Sequence, residues 1–254
     1  AFNMKGFGAL SLVASAAATL PTKEIAPGVE LPIVNIGTWL AGSKTEDPHE
    51  ITKNWLAQGF RGIDTALIYN DQKDIAAAIK ESGIPREEIF ITSKLPGCFA
   101  AAASVDSDLK QLNVDYIDLM LIHSPLGLSC PSTWKVLEDY VSQGKLKSIG
   151  VSNFNVKQLQ QVMDKATIPI AVNQIEYNVF SHDEEIIKFC DANNITVEAY
   201  SPLGGANAAQ SVFKDETVKG IAAAHNVSAA QVALRWIVQR GHPLAVLTSS
   251  AEHQ

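Results

Sequence analysis

The chain alternates between short runs rich in β-branched residues and longer amphipathic stretches, and this alternation constrains its fold more than any other feature. Strands are predicted at 33–38, 60–66, 89–94, 117–122, 147–151, 171–176, 196–200 and 244–248. Helices are predicted at 48–58, 73–82, 101–112, 132–143, 156–165, 183–192, 216–225 and 229–239, several with start signals such as Pro48, Asn155 and Ser228. Eight strands that alternate with helices in 254 residues predict an α/β fold, a single (β/α)8 TIM barrel.

Two segments precede the barrel. Residues 23–31 contain a central Pro27-Gly28 turn, which predicts a small N-terminal hairpin that plugs the barrel floor. Residues 1–22 form a separate arm, in which Met4-Lys5 is followed by a run of Gly, Ala, Ser and Leu from Gly6 to Ala18. This pattern is typical of an export or organelle signal, and a docking arm that packs on the barrel or on a protein partner is the equal alternative.

Charge and cysteine content limit the partners. The formal net charge is −7 and Lys and Arg are not clustered, which argues against nucleic-acid binding because phosphate neutralisation needs clustered cations. The three cysteines, Cys98, Cys130 and Cys190, lack CxxC or metal-ligand spacing. We therefore predict no metal site, and we interpret the cysteines as buried or free thiols rather than disulfides, which favours a reducing compartment.

Ionisable residues end three consecutive predicted strands. They are Asp64, Lys94 and His123, and Tyr69 follows the first of them by five residues. Because functional residues of such barrels lie at the C-terminal ends of the strands, we expect these side chains to converge on one rim. A buried Lys94 held by Asp64 would stay charged and lower the pKa of a nearby phenol, while His123 could donate a hydrogen bond to a substrate oxygen. This combination suits proton donation to a carbonyl group.

Four segments together resemble the aldo-keto reductase family. They are Gly-Phe-Arg-Gly-Ile-Asp-Thr-Ala-Leu-Ile-Tyr (59–69), Ile-Thr-Ser-Lys-Leu (91–95), Leu-Ile-His-Ser-Pro (121–125) and Gly-Val-Ser-Asn-Phe (150–154). The resemblance covers about residue 24 to the end and implies an NAD(P)H-dependent enzyme, cytoplasmic by family, that reduces a small carbonyl substrate. It makes Tyr69 the general acid, makes Lys94 and Asp64 its tuning pair, and makes His123 the residue that orients the substrate.

The same resemblance assigns the nucleotide site. The chain lacks a GxGxxG motif after a strand, so a Rossmann site is not expected, and the nucleotide would lie across the barrel mouth. The carboxamide would be held by Ser152, Asn153 and Gln174. Tyr200 would stack on the nicotinamide ring, and the loop with Ser201 and Leu203 would follow the pyrophosphate. Trp39 resembles an aromatic wall of the substrate pocket; for Phe99, ordinary packing is an equal explanation.

Two positions depart from the family pattern near the end of the chain. Thr248 stands where the family commonly has a Lys for the adenosine 2′-phosphate, and Ser249 follows it. A threonine supplies a hydrogen bond but no charge, and charge-assisted contacts to an anion are about twice as strong as neutral ones. NADPH is the expected cofactor, with NADH as the alternative.

The last outer helix of the family is expected to be missing. The chain reaches Gln254 inside what the resemblance makes that helix. Its absence would leave apolar surface on the barrel, which a soluble monomer seldom exposes. Either the sequence is a fragment, or the N-terminal arm or a protein partner is expected to cover the gap.

Two other function classes are compatible with parts of the pattern. A Schiff-base aldolase could use Lys94 in an α/β barrel, but it would leave Ser152, Asn153, Gln174 and Tyr200 without a role. A weakly active or inactive scaffold protein in a larger assembly would keep the barrel and the nucleotide while turning over little. The complete set of Asp64, Tyr69, Lys94 and His123 favours the reductase.

Overall fold

The computed structural model describes residues 21–39, 47–127, 129–204 and 211–248 and contains a closed barrel of parallel strands surrounded by helices. The strands are β1 (Thr22–Ala26), β2 (Val29–Pro32), β3 (Val34–Gly37), β4 (Gly62–Asp64), β5 (Phe90–Leu95), β6 (Ile117–Ile122), β7 (Leu146–Ser152), β8 (Val172–Glu176), β9 (Thr196–Tyr200) and β10 (Leu244–Val246). The helices are α1 (Pro48–Ala57), α2 (Gln72–Ser82), α3 (Ala101–Leu112), α4 (Cys130–Ser142), α5 (Val156–Met163), α6 (Glu184–Ala192), α7 (Glu216–His225) and α8 (Ala229–Gln239). Strands β3 to β10 form the barrel in chain order, and β10 closes it against β3. The predicted (β/α)8 barrel is confirmed.

The helices begin where the sequence indicates. Asp47 caps α1 by accepting the backbone N–H of His49, and Pro48 occupies the first helical position. Asn155 and Ser228 each form a capping box with the glutamine three residues later. These caps satisfy backbone N–H groups that an α-helix leaves unpaired at its start, which fixes the direction in which each helix leaves its loop.

The hairpin closes the floor of the barrel, as predicted. Strands β1 and β2 pair antiparallel, and Gly28 adopts a φ of 73° in the turn between them. Ile25 and Leu31 of the hairpin are buried in one cluster with residues of the barrel strands, namely Phe90, Leu119, Leu121, Ala171 and Val172. The N-terminal end of the barrel is therefore filled by apolar side chains, which leaves the opposite end for chemistry.

The barrel strands are buried on both faces, and the apolar core lies mainly between strands and helices. Trp55 of α1 and Trp134 of α4 are among the largest side chains in this core, each 1% exposed. Trp55 also donates its indole N–H to the carbonyl of Gly62, 2.8 Å away. Inside the barrel the side chains become polar toward the C-terminal ends of the strands, where Asp64, Lys94 and Gln174 are buried.

Some boundaries differ from the prediction. Strand β4 covers Gly62–Asp64 rather than 60–66, because the chain turns after Thr65 into a single 3-10 turn at Leu67–Tyr69. Strand β10 ends at Val246 rather than 248. Most of the predicted arm, residues 1–20, and the region expected to begin the last outer helix, residues 249–254, lie outside the described residues. Within the described part of the chain, no helix is long and apolar enough to cross a membrane.

The interpretation of the cysteines as free thiols is wrong for two of them. Cys98, in the loop after β5, forms a disulfide with Cys130, the first residue of α4, and their Cα atoms are 4.6 Å apart. The two cysteines are 32 positions apart in sequence, but the barrel brings their loops together, and the backbone N–H of Cys98 also bonds to the carbonyl of Leu126. The pairing removes the basis for expecting a reducing compartment. Cys190 is a buried free thiol.

A thiol count tests this pairing. Because the chain has three cysteines and two of them are joined, protein denatured without reductant should show one reactive thiol, that of Cys190. After reduction the count should rise to three. The measurement is mass spectrometry after alkylation, and alkylation of Cys98 or Cys130 in the unreduced protein would contradict the disulfide.

Candidate active site

A cavity of about 380 Å³ opens at the C-terminal ends of the barrel strands. It is lined by Gly37, Trp39, Asp64, Ile68, Tyr69, His123, Ser152, Asn153, Gln174, Tyr200, Ser201, Ala245 and Leu247. Larger surface hollows exist on the outside of the barrel and at its floor, but they lie away from the convergent polar side chains. Parallel strands place their C-terminal residues at one rim, so this cavity is where the predicted residues meet.

The base of the cavity contains a buried ion pair. Lys94 Nζ lies 2.5 Å from Asp64 Oδ1, and the two side chains are 1% and 6% exposed. The ammonium also donates to the backbone carbonyl of Thr65, 3.0 Å away. Burial lowers the pKa of Lys94, but the charge and hydrogen bond of Asp64, with smaller contributions from Tyr69 and Glu198, together outweigh this effect, so the net pKa is raised above its ordinary value of 10.5. Lys94 is therefore a fixed positive charge at neutral pH.

The 3-10 turn after β4 places Tyr69 above this pair. The turn is closed by a hydrogen bond from the Tyr69 N–H to the Ala66 carbonyl, and Asn70 ends it in the left-handed region with a φ of 59°. The Tyr69 ring lies 5.2 Å from Lys94 Nζ and 4.8 Å from the ring of Trp39. Residues 65–70 therefore form the turn that holds the Tyr69 phenol above the end of β4.

The pKa of Tyr69 differs from the expectation. Burial raises it above its ordinary value of 10.0, and the nearby Lys94 ammonium lowers it by a smaller amount. The lowering influence expected of Lys94 is present, but the net shift has the opposite sign because desolvation of a phenolate costs more than Lys94 returns. The phenol consequently keeps its proton at neutral pH.

His123 follows β6 and shares the cavity with Tyr69. Its Nε2 lies 3.5 Å from the Tyr69 hydroxyl oxygen, while its Nδ1 is buried without a hydrogen-bond partner. Burial, followed by the charge of Lys94, lowers its pKa to about 4, so the ring is neutral at neutral pH. An N–H at Nδ1 would be an orphaned buried donor, which favours the tautomer with the proton on Nε2.

The Tyr69 hydroxyl and the His123 Nε2–H can therefore donate to one acceptor between them. A carbonyl oxygen has two lone pairs and can accept both hydrogen bonds. As negative charge develops on that oxygen, two preorganised donors stabilise it without the reorganisation that bulk water would need. The arrangement can thus polarise a carbonyl and then deliver a proton to it.

Two of the side chains assigned to the carboxamide, Ser152 and Asn153, hydrogen-bond to each other in the cavity. Ser152 Oγ donates to the backbone carbonyl of Gln174. Asn153 Nδ2 donates to the backbone carbonyl of His123 and to Ser152 Oγ. Tyr200 donates its hydroxyl hydrogen bond to Asn153 Oδ1 at 2.8 Å. Amide and hydroxyl groups beside an aromatic side chain fit the nicotinamide end of a dinucleotide, which combines an amide with a planar ring.

Of the remaining described residues predicted to contact the nucleotide, only Ser201 lines the cavity. Ser201 lines the cavity with a φ of 49°, whereas Leu203 packs into a hydrophobic cluster with Val212 and Val218, so only the backbone of that loop could follow a pyrophosphate. Thr248 comes directly after the cavity-lining Leu247. Ser249 lies outside the described residues.

Other site features were not predicted. Gly37, Ile68, Ala245 and Leu247 line the cavity, whereas Phe99, for which a pocket wall and ordinary packing were both open, is half exposed in the loop after β5 and is not among the lining residues. Glu198 was also missed, although it is fully buried and hydrogen-bonded to Gln174. The signal for it was available, because a glutamate inside the apolar run 196–200 is unusual in a barrel strand. Among the described residues, no group of three or more His, Cys, Asp or Glu could hold a metal ion.

Comparison with known proteins gives the family. The aldo/keto reductase family model matches residues 34–254. The chain is 37% identical to glyoxal reductase of Bacillus subtilis over 240 residues, covering 92% of this chain and 84% of that protein. It is 35% identical to glycerol 2-dehydrogenase (NADP(+)) of Saccharomyces cerevisiae over 248 residues, covering 85% and 78%. A solved aldo-keto reductase from a Medee basin deep-sea metagenome library superposes with a TM-score of 0.83 at 39% identity, covering 88% of this chain and 83% of that one.

The chain therefore belongs to the aldo/keto reductase family, and it is an oxidoreductase. Enzymes of this family generally use NADPH or NADH to reduce carbonyl groups. The resemblance seen in the sequence and the barrel seen in the structure agree with this assignment.

The buried ion pair makes a prediction for stability. Replacing Asp64 with alanine leaves the Lys94 ammonium buried without its counter-ion, which should lower the free energy of unfolding by about 3–5 kcal/mol. The pKa of Lys94 is higher in the folded than in the unfolded protein, so the stabilisation from its ion pair is fully present below pH 10.5 and is lost only as the pH rises through the folded pKa. Urea unfolding at pH 7 therefore measures the whole effect of the substitution on stability.

The control is Glu216→Ala, which removes the exposed pair between Glu216 and Lys219 on α7. Exposed pairs of this kind contribute little, so unfolding should change only slightly. An Asp64→Ala protein as stable as this control would contradict a buried, desolvated pair.

Proposed function

We propose that this protein reduces a small aldehyde or ketone to the alcohol, with NADPH or NADH bound across the barrel mouth. The proposal rests mainly on one observation: the Tyr69 hydroxyl and His123 Nε2 lie 3.5 Å apart in the cavity, above the buried Lys94–Asp64 pair. The bound nucleotide supplies a hydride to the carbonyl carbon. The protein's own contribution is to hold the carbonyl oxygen and to donate a proton to it.

Tyr69 is the proposed proton donor. Its raised pKa keeps the hydroxyl protonated at neutral pH, so that it can donate to the substrate oxygen. When the proton leaves, the phenolate is stabilised by the fixed positive charge of Lys94, which Asp64 keeps protonated. Lys94 and Asp64 are thus positioning residues that act through Tyr69.

His123 is the proposed substrate-orienting residue. Because its ring is neutral, it can donate one hydrogen bond from Nε2 without adding a second positive charge beside Lys94. Trp39 is 48% exposed and contacts the Tyr69 ring, so it offers an apolar wall to the part of the substrate next to the carbonyl. The relatives named glyoxal reductase and aldehyde reductase favour a small aldehyde.

Tyr69→Phe tests the proton donor. Loss of the hydroxyl should lower kcat with an aromatic aldehyde by at least about 10²-fold, in the range of general acid catalysis. The dissociation constant for NADPH, measured by fluorescence titration, should change less than about twofold, because the hydroxyl is needed mainly in the transition state.

The matched control is Tyr116→Phe, which removes a hydroxyl beside the floor hollow at the other end of the barrel. It should leave both kcat and nucleotide binding unchanged. Turnover of the Tyr69→Phe protein at the level of this control would refute the role of Tyr69.

Nucleotide preference gives a second test. Thr248 carries no charge at the position that the family pattern assigns to the adenosine 2′-phosphate, so we expect only a weak preference for NADPH over NADH. Thr248→Lys adds a charge-assisted contact and should raise the preference for NADPH by about tenfold. The measurement is the ratio of dissociation constants for NADH and NADPH at low salt.

Thr248→Met serves as the control because it adds side-chain length without charge. The control should leave the ratio unchanged, and increasing salt should weaken the gain in the lysine variant. An equal ratio in both variants would place the 2′-phosphate away from residue 248.

A further inference from the structure

Glu198 is a carboxylic acid inside the barrel that the proposed chemistry does not use. It lies on β9, two residues before Tyr200, and it is fully buried. Inward positions of barrel strands are usually occupied by branched apolar side chains. An isolated buried carboxylate is costly, so its hydrogen-bond partners are informative.

The partners of Glu198 connect it to the active site. Gln174 Nε2 donates to Glu198 Oε2 at 2.9 Å and to Asp64 Oδ2 at 2.8 Å, so one amide group bridges the two acids. Asn35 Nδ2 donates to the other oxygen, Oε1, at 3.1 Å. Space for Asn35 exists because residue 62 is a glycine, at which a Cβ would lie only 1.9 Å from Asn35 Oδ1.

The bridge fixes the orientation of the Gln174 amide. Carboxylates only accept hydrogen bonds, so the amide nitrogen must face Asp64 and Glu198. Gln174 also lines the cavity, and both hydrogen bonds that its side chain makes within the described residues come from Nε2. Its carbonyl oxygen, Oε1, is therefore the amide atom left to face a ligand.

We propose that Glu198 is a positioning residue for the nicotinamide end of the nucleotide: together with Asp64 it holds the Gln174 side chain so that Oε1 accepts a hydrogen bond from the carboxamide N–H. This inference rests on the proposed function, because it presumes that a nicotinamide nucleotide binds in this cavity. It assigns to the charge on Glu198 a role in recognition rather than in proton transfer.

The charge on Glu198 responds to pH near neutrality. Burial, and then the negative charge of Asp64, raises its pKa to about 7, while Lys94 and the hydrogen bonds from Gln174 and Asn35 lower it by smaller amounts. Asp64 on β4 and Lys94 on β5 are the charged groups that act on it, and the other two partners are neutral amides.

Protonation of Glu198 should loosen the hold on the Gln174 amide. Asn35 Nδ2 also donates to the carbonyls of Pro32 and Leu244, at 2.9 and 3.3 Å, so Asn35 keeps its orientation. A proton on Glu198 is then directed to Oε2, where it faces another donor, Gln174 Nε2. Two donors cannot share a hydrogen bond, so Gln174 Nε2 keeps only its hydrogen bond to Asp64 Oδ2, and the orientation of the amide is held less firmly.

A nucleotide analogue isolates this hydrogen bond. The acetylpyridine analogue of NADP⁺ replaces the carboxamide NH2 with a methyl group and keeps the rest of the molecule. The readout is the ratio of its dissociation constant to that of NADP⁺, measured by calorimetry without any turnover. At pH 8.5 the unmodified protein should bind the analogue about tenfold more weakly, because the buried acceptor loses its donor.

Glu198→Gln should reduce this ratio by at least about twofold. The new amide keeps its oxygen toward Asn35 and presents its nitrogen to Gln174, which reproduces the effect of protonation without a titratable group. In the unmodified protein the ratio should fall toward one as the pH drops from 8.5 to 5.5. In the Glu198→Gln variant it should stay flat over the same range.

The matched control is Asp108→Asn. Asp108 is also a buried acid with a pKa raised to about 7, and it accepts a hydrogen bond from a glutamine amide, Gln72, but it lies on α3 outside the barrel. This variant should keep both the tenfold ratio and its pH dependence. It therefore separates loss of a buried acid in general from loss of Glu198.

A second variant covers the case in which Glu198→Gln does not fold. Gln174→Met removes the proposed acceptor itself and should bring the ratio near one at every pH. A Gln174→Met protein that keeps the tenfold ratio overturns the inference, as does an unmodified protein whose ratio is independent of pH.

Different results would contradict the proposed function and the inference about Glu198. If NADP⁺ itself does not bind, both the proposed function and this inference fail. If NADP⁺ binds and NADPH is oxidised by an aldehyde, but Glu198→Gln leaves the ratio unchanged, Glu198 is only a structural acid of the barrel and the proposed function stands.

Discussion

The contact between Lys94 and Asp64 is the interaction on which the site depends. An ammonium group that is 1% exposed remains charged only because a carboxylate lies 2.5 Å away and a backbone carbonyl accepts a second hydrogen bond. That fixed charge lowers the pKa of Tyr69 by less than burial raises it, and it adds to the effect of burial in lowering the pKa of His123. Burial and the buried ion pair therefore act together on the protonation states of the two groups that face the cavity.

The two ends of the barrel differ in the side chains that fill them. The hairpin fills the N-terminal end with apolar side chains, and the strand ends at the opposite rim supply the polar ones. The segments that follow the strands supply further side chains, among them Tyr69 on its 3-10 turn, His123 and Asn153. Gln174 bridges Asp64 and the second acid, Glu198, so the ion pair near Tyr69 and the side chain proposed to contact the nucleotide share one hydrogen-bond network.

The sequence predicted much of this arrangement, and its failures have physical causes. Periodicity and caps located the strands and helices, and three ionisable strand ends located the site, because both signals are local. The Cys98–Cys130 disulfide was missed because it depends on which loops the barrel brings together. The net pKa of Tyr69 was misjudged because burial of the phenol is a property of the folded cavity. Glu198 was overlooked because its partners, Gln174 on the neighbouring strand β8 and Asn35 on β3, are brought beside it only when the barrel closes.

The central claim is that this cavity couples a bound nicotinamide nucleotide to protonation of a carbonyl group. The most direct measurement is a single-turnover experiment in which benzaldehyde is added to the protein with bound NADPH, and nucleotide fluorescence and alcohol formation are followed together. We predict that the bound NADPH is oxidised and that one molecule of alcohol forms for each molecule of NADPH oxidised. Stable binding of NADPH without oxidation, across a series of small aldehydes, would contradict it and would favour a binding protein on the same barrel.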